Sequence, residues 1–395
     1  MRRSIVSSFL AMATVIAAAG GAVAESEPLR IGVPTSRTGP YTVLGDQVVR
    51  AIEFAAEEAN AAGGVGGHMV EIRIGDTEGN PDAGRRAAEK LSLDGYRILT
   101  GPISSAVGLA LSTQLNRWDG LYLSVVNKSP KLTGESCHPR MFRANHSDSM
   151  DIAIVAPWLK EQSQQNWAII AADYVWGRGS GAAFKATAED LKKAVKLELF
   201  PPLGTADFAP YITQIRDSGA EGLWVALSGA DAINFAKQAK QFGLTDSVVV
   251  FGHNFVVPST IKAVGKDAVG VWGNVGYSPK IDTPANKAFV EAWRAKHDGA
   301  DPTDYEGEAY AGFLALFAAV EKAKSVEPAD VAAALNDLIV VTPFGEVRMR
   351  AADHQMELPN YLGRVAENDG SVGIEVVRAF DAGAATPPPS DDCKM

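Results

Sequence analysis

Past residue 24 the chain has no apolar run long enough to span a bilayer. It has only two cysteines, Cys137 and Cys393. Its six histidines (His68, His138, His146, His253, His297 and His354) fall at no metal-binding spacing, and it contains no G-x-S-x-G elbow. No catalytic centre, metal or cofactor is therefore expected; His253 is read as a neutral hydrogen-bonding group lining a cleft. Positive charge is also short, at 37 Lys+Arg against 47 Asp+Glu. Such a chain would repel nucleic-acid phosphates, which excludes that class of partner.

What is present begins with Met1-Arg2-Arg3, the apolar run Ile5 to Gly21, and Ala22-Val23-Ala24 before Glu25. A basic start, a short apolar core and small residues at the end make an export signal, with cleavage expected after Ala24 and a periplasmic location. Removing it leaves 35 basic residues against 47 acidic ones, a net charge near −12. In an oxidising compartment Cys137 and Cys393 read as one disulfide; the alternative is two unpaired thiols, and a free-thiol assay separates the two. About 370 remaining residues exceed what one core usually serves, so two domains are expected.

The interior alternates strand and helix. Leu29–Pro34 is a strand, residues 43–62 a helix with an apolar stripe at Val48, Ile52, Ala55 and Ala59, then come strands at 69–74, 97–100 and 121–126. The spacing predicts one helix over 104–118 and others over 150–161, 181–194, 284–296 and 305–324. This rhythm implies parallel sheets wrapped on both faces, with ligands beyond the carboxyl ends of strands. Gly101-Pro102-Ile103-Ser104-Ser105 falls there: a strand end turning through two serines into a helix N-terminus, suited to an anion. Asn127 and Lys128 follow the next strand. Gly63 to Gly67 joins helix to strand, the wrong order for a phosphate loop. Gly177 to Ala182 matches G-x-G-x-x-A but stands too far from its strand for a dinucleotide site. Trp118, Trp158 and Trp293 read as core, and Asp353-His354-Gln355 as a turn in the second lobe.

Several of these stretches together resemble the leucine/isoleucine/valine-binding family of periplasmic substrate-binding proteins. They are the export signal, Ile31 to Pro40 with Gly45-Asp46, Asn60 to Gly64, Gly101 to Ser105, and Ala172-Asp173-Tyr174-Val175-Trp176-Gly177. The resemblance implies a type I periplasmic-binding fold, α/β, with two doubly wound αβα lobes. Three hinge crossings would join them, near Ala144-Asn145, Asn274 to Gly276 and Glu346-Val347. Lobe 1 would hold residues 25–144 and 276–346, lobe 2 residues 145–275 and 347–386, and 387–395 would be a tail.

The resemblance also implies a small-molecule ligand, a membrane ABC permease as partner, and a monomer. A ligand sensor reporting to a regulatory partner is the second possibility the same fold leaves open. Ser105, with Ser104 and Ile103, would hold a carboxylate; Trp176 and Tyr174 would close over the ligand, and Tyr305 matches an aromatic on the first-lobe side. Ser228 falls where some members carry a tyrosine. Asn254 stands where the family has an acid for the ligand's ammonium, with Glu306, Glu308, Asp173 and Asp231 as candidate replacements. Lys128 either faces the cleft or extends into solvent. If it faces the cleft, the pocket favours acids without an α-amino group, or aromatic acids and amides stacked on Trp176.

Overall fold

A computed structural model describes residues 26–395 apart from position 369, so the expected export signal lies outside the described residues. The first sheet holds β1 (Leu29–Thr35), β2 (Val70–Asp76), β3 (Ile98–Thr100), β4 (Leu121–Ser124) and β5 (Met141–Arg143) in the order β2-β1-β3-β4-β5. All its pairings are parallel. The second begins with β6 (Asn166–Ala171), β7 (Ala194–Leu199), β8 (Gly222–Ala226), β9 (Val249–Gly252) and β10 (Trp272–Val275), in the order β7-β6-β8-β9-β10. That is the order of the first sheet repeated, again with parallel pairings.

A small antiparallel sheet of β11 (Ile339–Thr342), β12 (Gly345–Met349) and β13 (Met356–Glu357) follows. The hairpin β14 (Asn360–Asn368) and β15 (Ser371–Phe380) then adds antiparallel to β10 at the edge of the second sheet. The fold is the α/β, type I arrangement of helix-wrapped parallel sheets.

Each sheet has its own main core. The first gathers Ile31, Val33, Leu121 and Phe142 with Trp293 and the long Asp304–Ala323 helix. Trp158, Trp167, Trp224 and Phe251 centre the second, and Trp118 belongs to a smaller satellite. By core membership the chain leaves the first core between Met150 and Val155 and returns to it between Val275 and Tyr277. Its third passage is later than the Glu346-Val347 expected, because Val347, Met349, Met356 and Leu358 pack in the first core and Leu362 in the second. The Asp353-His354-Gln355 turn likewise rests on the first core: the His354 ring stacks on Phe142 at 3.8 Å, and Gln355 accepts from the buried Arg143.

Helix boundaries differ at two informative places. The single helix expected over 104–118 is Ser105–Ser112 followed by a short turn at Leu115–Trp118. The helix expected from Gly181 begins at Val175. There Gly177 lets the helix start hard against its strand, since a Cβ would meet Ala172 O at 2.1 Å. Gly45 does the same after β1, where a Cβ would lie 2.0 Å from Ser36 O. The two repeats thus use the same device at the same joint.

Cys137 and Cys393 are bonded, 256 residues apart in sequence, and pin the tail beside the loop after β4. Cys393→Ser should cost about 2 kcal/mol, the low end for a disulfide, because only the tail is freed in the folded state. Urea unfolding of the variant against the oxidised parent measures it; coincident curves would make the bond dispensable.

Candidate functional site

The repeat places loops from both sheets around one cavity. From the first core come Tyr41 after β1, Ile103 and Ser105 after β3, Val126 and Lys128 after β4, and Tyr305 from the Asp304–Ala323 helix. The second supplies Tyr174 and Trp176 after β6, Ser228 after β8 and Asn254 after β9. In both sheets these are the carboxyl ends of the first, third and fourth strands of the unit, on either side of the point where strand order reverses.

Two hydrogen bonds close the cavity across the cores. Tyr41 Oη and Tyr174 Oη lie 2.9 Å apart, and the Ala230 N–H donates to Pro40 O at 3.1 Å. Burial raises the pKa of Tyr41, Tyr174 and Tyr305, so all three phenols keep their protons and can donate. Trp176 Nε1 donates to Asp148 Oδ1 at 3.0 Å, which fixes the indole over the cavity.

Three helices start at this spot, at Ser105, Val175 and Gly229, and none is capped by the side chain of its N-cap residue. Their free N–H groups and dipoles bring positive potential to the cavity. Ser105 Oγ accepts from the Ser129 N–H at 3.3 Å, leaving its own proton to donate. Ser228 Oγ, also lining, stands beside the Tyr305 phenol. Asn254 sits at φ 51°, a left-handed conformation that asparagine tolerates, held by its N–H to Asn274 Oδ1 at 3.2 Å.

Lys128 faces the cavity and not solvent, with 6% of its surface exposed. Burial works against its charge, but Asp151 and Glu308 more than offset that and raise its pKa above the ordinary lysine value. Nζ lies 3.2 Å from Asp151 Oδ2 and 3.8 Å from Glu308 Oε1.

Below them His253 is fully buried, with Nε2 at 3.0 Å from Asp151 and 3.2 Å from Asp148. It is therefore not the neutral cleft-lining group expected: burial alone would lower its pKa, but the two aspartates push it up to about 9. Asp148, Asp151 and His253 have the ligand types of a metal site. Lys128 already supplies a cation to Asp151, so the cluster reads as a buried charge network.

Two expected site residues stand back from the cavity. Ser104 is the N-cap of its helix and does not line it. Asn127 is wholly buried behind the serine turn, where Nδ2 donates to Pro102 O at 2.7 Å and Ile103 O at 2.8 Å. The four acids considered as partners for a ligand ammonium also fall outside the lining. Asp173 pairs with Arg178 and Glu306 with Arg50, Asp231 accepts from the Gly204 N–H, and Glu308 meets His146 and Lys128. Sequence reasoning missed Tyr41 and Val126. The internal repeat was the available signal for Tyr41, which occupies after β1 the place Tyr174 takes after β6.

Comparison with known proteins agrees with this architecture. The model of the family described as periplasmic binding protein matches residues 28–371. Leu/Ile/Val-binding protein homolog 4 of Brucella abortus is 26% identical over 401 residues, covering 95% of each chain. A solute-binding protein of an ABC transporter from R. palustris, solved in complex with 4-hydroxybenzoate, shares the fold at a TM-score of 0.82 and 24% identity, over 90% of this chain and 97% of that one. The leucine-, isoleucine-, valine-, threonine- and alanine-binding protein of Brucella ovis in its closed conformation does so at 0.82 and 24%, over 94% and 99%. The family match spans both cores and all the strand ends that build the cavity, and the chain belongs to the periplasmic binding proteins, the non-enzymatic solute-binding components of ABC transporters.

Proposed function

We propose that this protein, exported to the periplasm and acting as a monomer, captures a small carboxylate without an α-amino group and delivers it to an ABC permease. The observation that carries the reading is the composition of the cavity wall. One lysine, two serines and three helix N-termini face it, and no carboxylate is among its lining residues. A ligand carboxylate gains a charge-assisted bond from Ser105 and the positive potential of Lys128 and the helix N-termini, while a ligand ammonium would be buried without an anion at a cost of several kcal/mol. Trp176 and the phenols of Tyr41, Tyr174 and Tyr305 suit an aromatic acid, including one that carries a hydroxyl. The R. palustris protein solved with 4-hydroxybenzoate shows that the fold can hold such a ligand.

A thermal-shift panel of benzoate, 4-hydroxybenzoate, phenylalanine, leucine and valine tests this. A ligand at about 100 times its Kd stabilises by ~2.7 kcal/mol, so the aromatic acids should move the midpoint most. Leucine or valine giving the largest shift would refute the reading. Ser105→Ala should weaken the best acid about tenfold, through loss of one hydrogen bond to a charged group, measured by calorimetry. Unchanged affinity would move the carboxylate away from the serine turn.

A further inference from the structure

Lys128 reaches beyond the cavity it lines. Its ammonium ends between Asp151 and Glu308, which are 0% and 4% exposed. Both acids are anchored from several directions. Asp151 Oδ1 accepts from Asn360 Nδ2 at 2.8 Å and Oδ2 from His253 Nε2 at 3.0 Å. Glu308 Oε1 lies 2.7 Å from His146 Nδ1, whose other ring nitrogen lies 2.8 Å from Pro359 O.

Two buried carboxylates side by side require nearby cations, since an uncompensated charge in such a place is strongly destabilising. In this chain one of those cations is covalently attached. Lys128 leaves the strand end beside the serine turn and runs along the cavity wall to reach the acids, so its side chain separates the acids from the space a ligand would fill.

We propose that Lys128 is a specificity-determining residue: its ammonium neutralises the buried acids Asp151 and Glu308 from within the protein, takes the place where a ligand's ammonium could pair with them, and confines the site to acids that carry no cation of their own. The inference rests on the reading that the ligand is an amine-free carboxylate. An amino acid entering the pocket would meet a like charge at Lys128 and acids already compensated behind it. Deleting the side chain should join the cavity to Asp151 and Glu308 and leave them seeking a cation, so that the same pocket would accept a ligand bearing both charges.

The test is calorimetric titration of the full chain and its Lys128→Ala and Lys128→Met variants with 4-hydroxybenzoate, phenylalanine and leucine. Thermal shifts with ethylammonium chloride against sodium chloride probe the vacated site directly. K128A is expected to bind 4-hydroxybenzoate at least about tenfold more weakly than the parent, and phenylalanine or leucine at least about tenfold more tightly. Ethylammonium should stabilise K128A and leave the parent unchanged at equal ionic strength. K128M, neutral but still filling the space, should lose the acid and gain no amino acid.

If K128A folds only when ethylammonium is present, that too supports the proposal. A K128A protein that gains no amino acid and gives no ethylammonium-specific shift overturns it, as does one that stays unfolded at saturating ethylammonium. Parent protein that binds leucine best would instead refute the function proposed above, so the two failures are read on different proteins.

Discussion

Raising the pH from 6.5 through 9 should cost the protein on the order of 3 kcal/mol of stability, and His253→Gln should remove most of that dependence. His253 is fully buried, and its neighbours raise its pKa from 6.5 to about 9. A base whose folded pKa lies above its unfolded one contributes stability that is complete below the unfolded value, here 6.5. That contribution is lost as the pH climbs through the folded value, because the unfolded chain gives up the proton first. At about 1.4 kcal/mol per pH unit, the gap between 6.5 and 9 sets the size of the effect.

The responsible groups are Asp148 and Asp151 from the Asp148–Glu161 helix. Asp151 acts at the other end of the scale. Burial opposes its ionisation, but Lys128 and His253 hold its carboxyl well below the usual range. Its contribution is therefore present above about pH 4 and lost as the pH falls through its lowered value. Asp231, pushed up to about 6 by burial, titrates below the window in which His253 acts. Urea unfolding at half-unit steps from pH 6 to 9.5 measures the slope. Parallel profiles for the parent and H253Q would assign the loss to other groups.

The sequence showed where the polypeptide turns back better than what its side chains meet. β1, β3, β4 and the Pro284–Lys296 helix were readable because an apolar run or a 3.6-residue stripe is a local signal. The hairpin β14–β15 was not: it lies at a sheet edge, half exposed, and its alternation is weak. The start of the helix at Val175 was hidden by Gly177 and Gly179, which fell outside the helix expected from Gly181. In the structure Gly177 serves close packing against Ala172.

At the site, strand ends pointed to Ile103, Ser105 and Lys128, and the family resemblance added Tyr174, Trp176, Ser228, Asn254 and Tyr305; all of these line the cavity. The charge network beneath it was out of reach. Asp151 and His253 stand 102 residues apart and His146 and Glu308 162 apart, so no local pattern could pair them. The same limit hid the burial of Lys128, since only the partners that neutralise it decide whether a lysine can stay out of water.

Asn127 separates a residue that binds from one that holds a binding turn in place, and Asn127→Ala should destabilise the fold by about 3–5 kcal/mol although the side chain never reaches the cavity. Its Nδ2 ties down Pro102 O and Ile103 O, and its Oδ1 accepts from Tyr122 Oη. Truncation leaves two carbonyl oxygens buried without this donor, each costing about 1–3 kcal/mol, and removes one acceptor from the Tyr122 phenol. The fit is tight: a Cβ on Gly108 would fall 1.9 Å from Asn127 Oδ1, so the amide wedges the first turns of the Ser105–Ser112 helix against β4.

With that wedge gone, Ser105 loses the geometry that aims its hydroxyl, and acid binding should weaken at least as much as in Ser105→Ala. Asn127→Asp should be no rescue, because it turns an oxygen toward the two carbonyls where an N–H₂ is needed. Urea midpoints and calorimetry on the same variants separate the roles. A supporting residue loses stability and affinity together, whereas weaker binding at unchanged stability would mean that Asn127 touches the ligand after all.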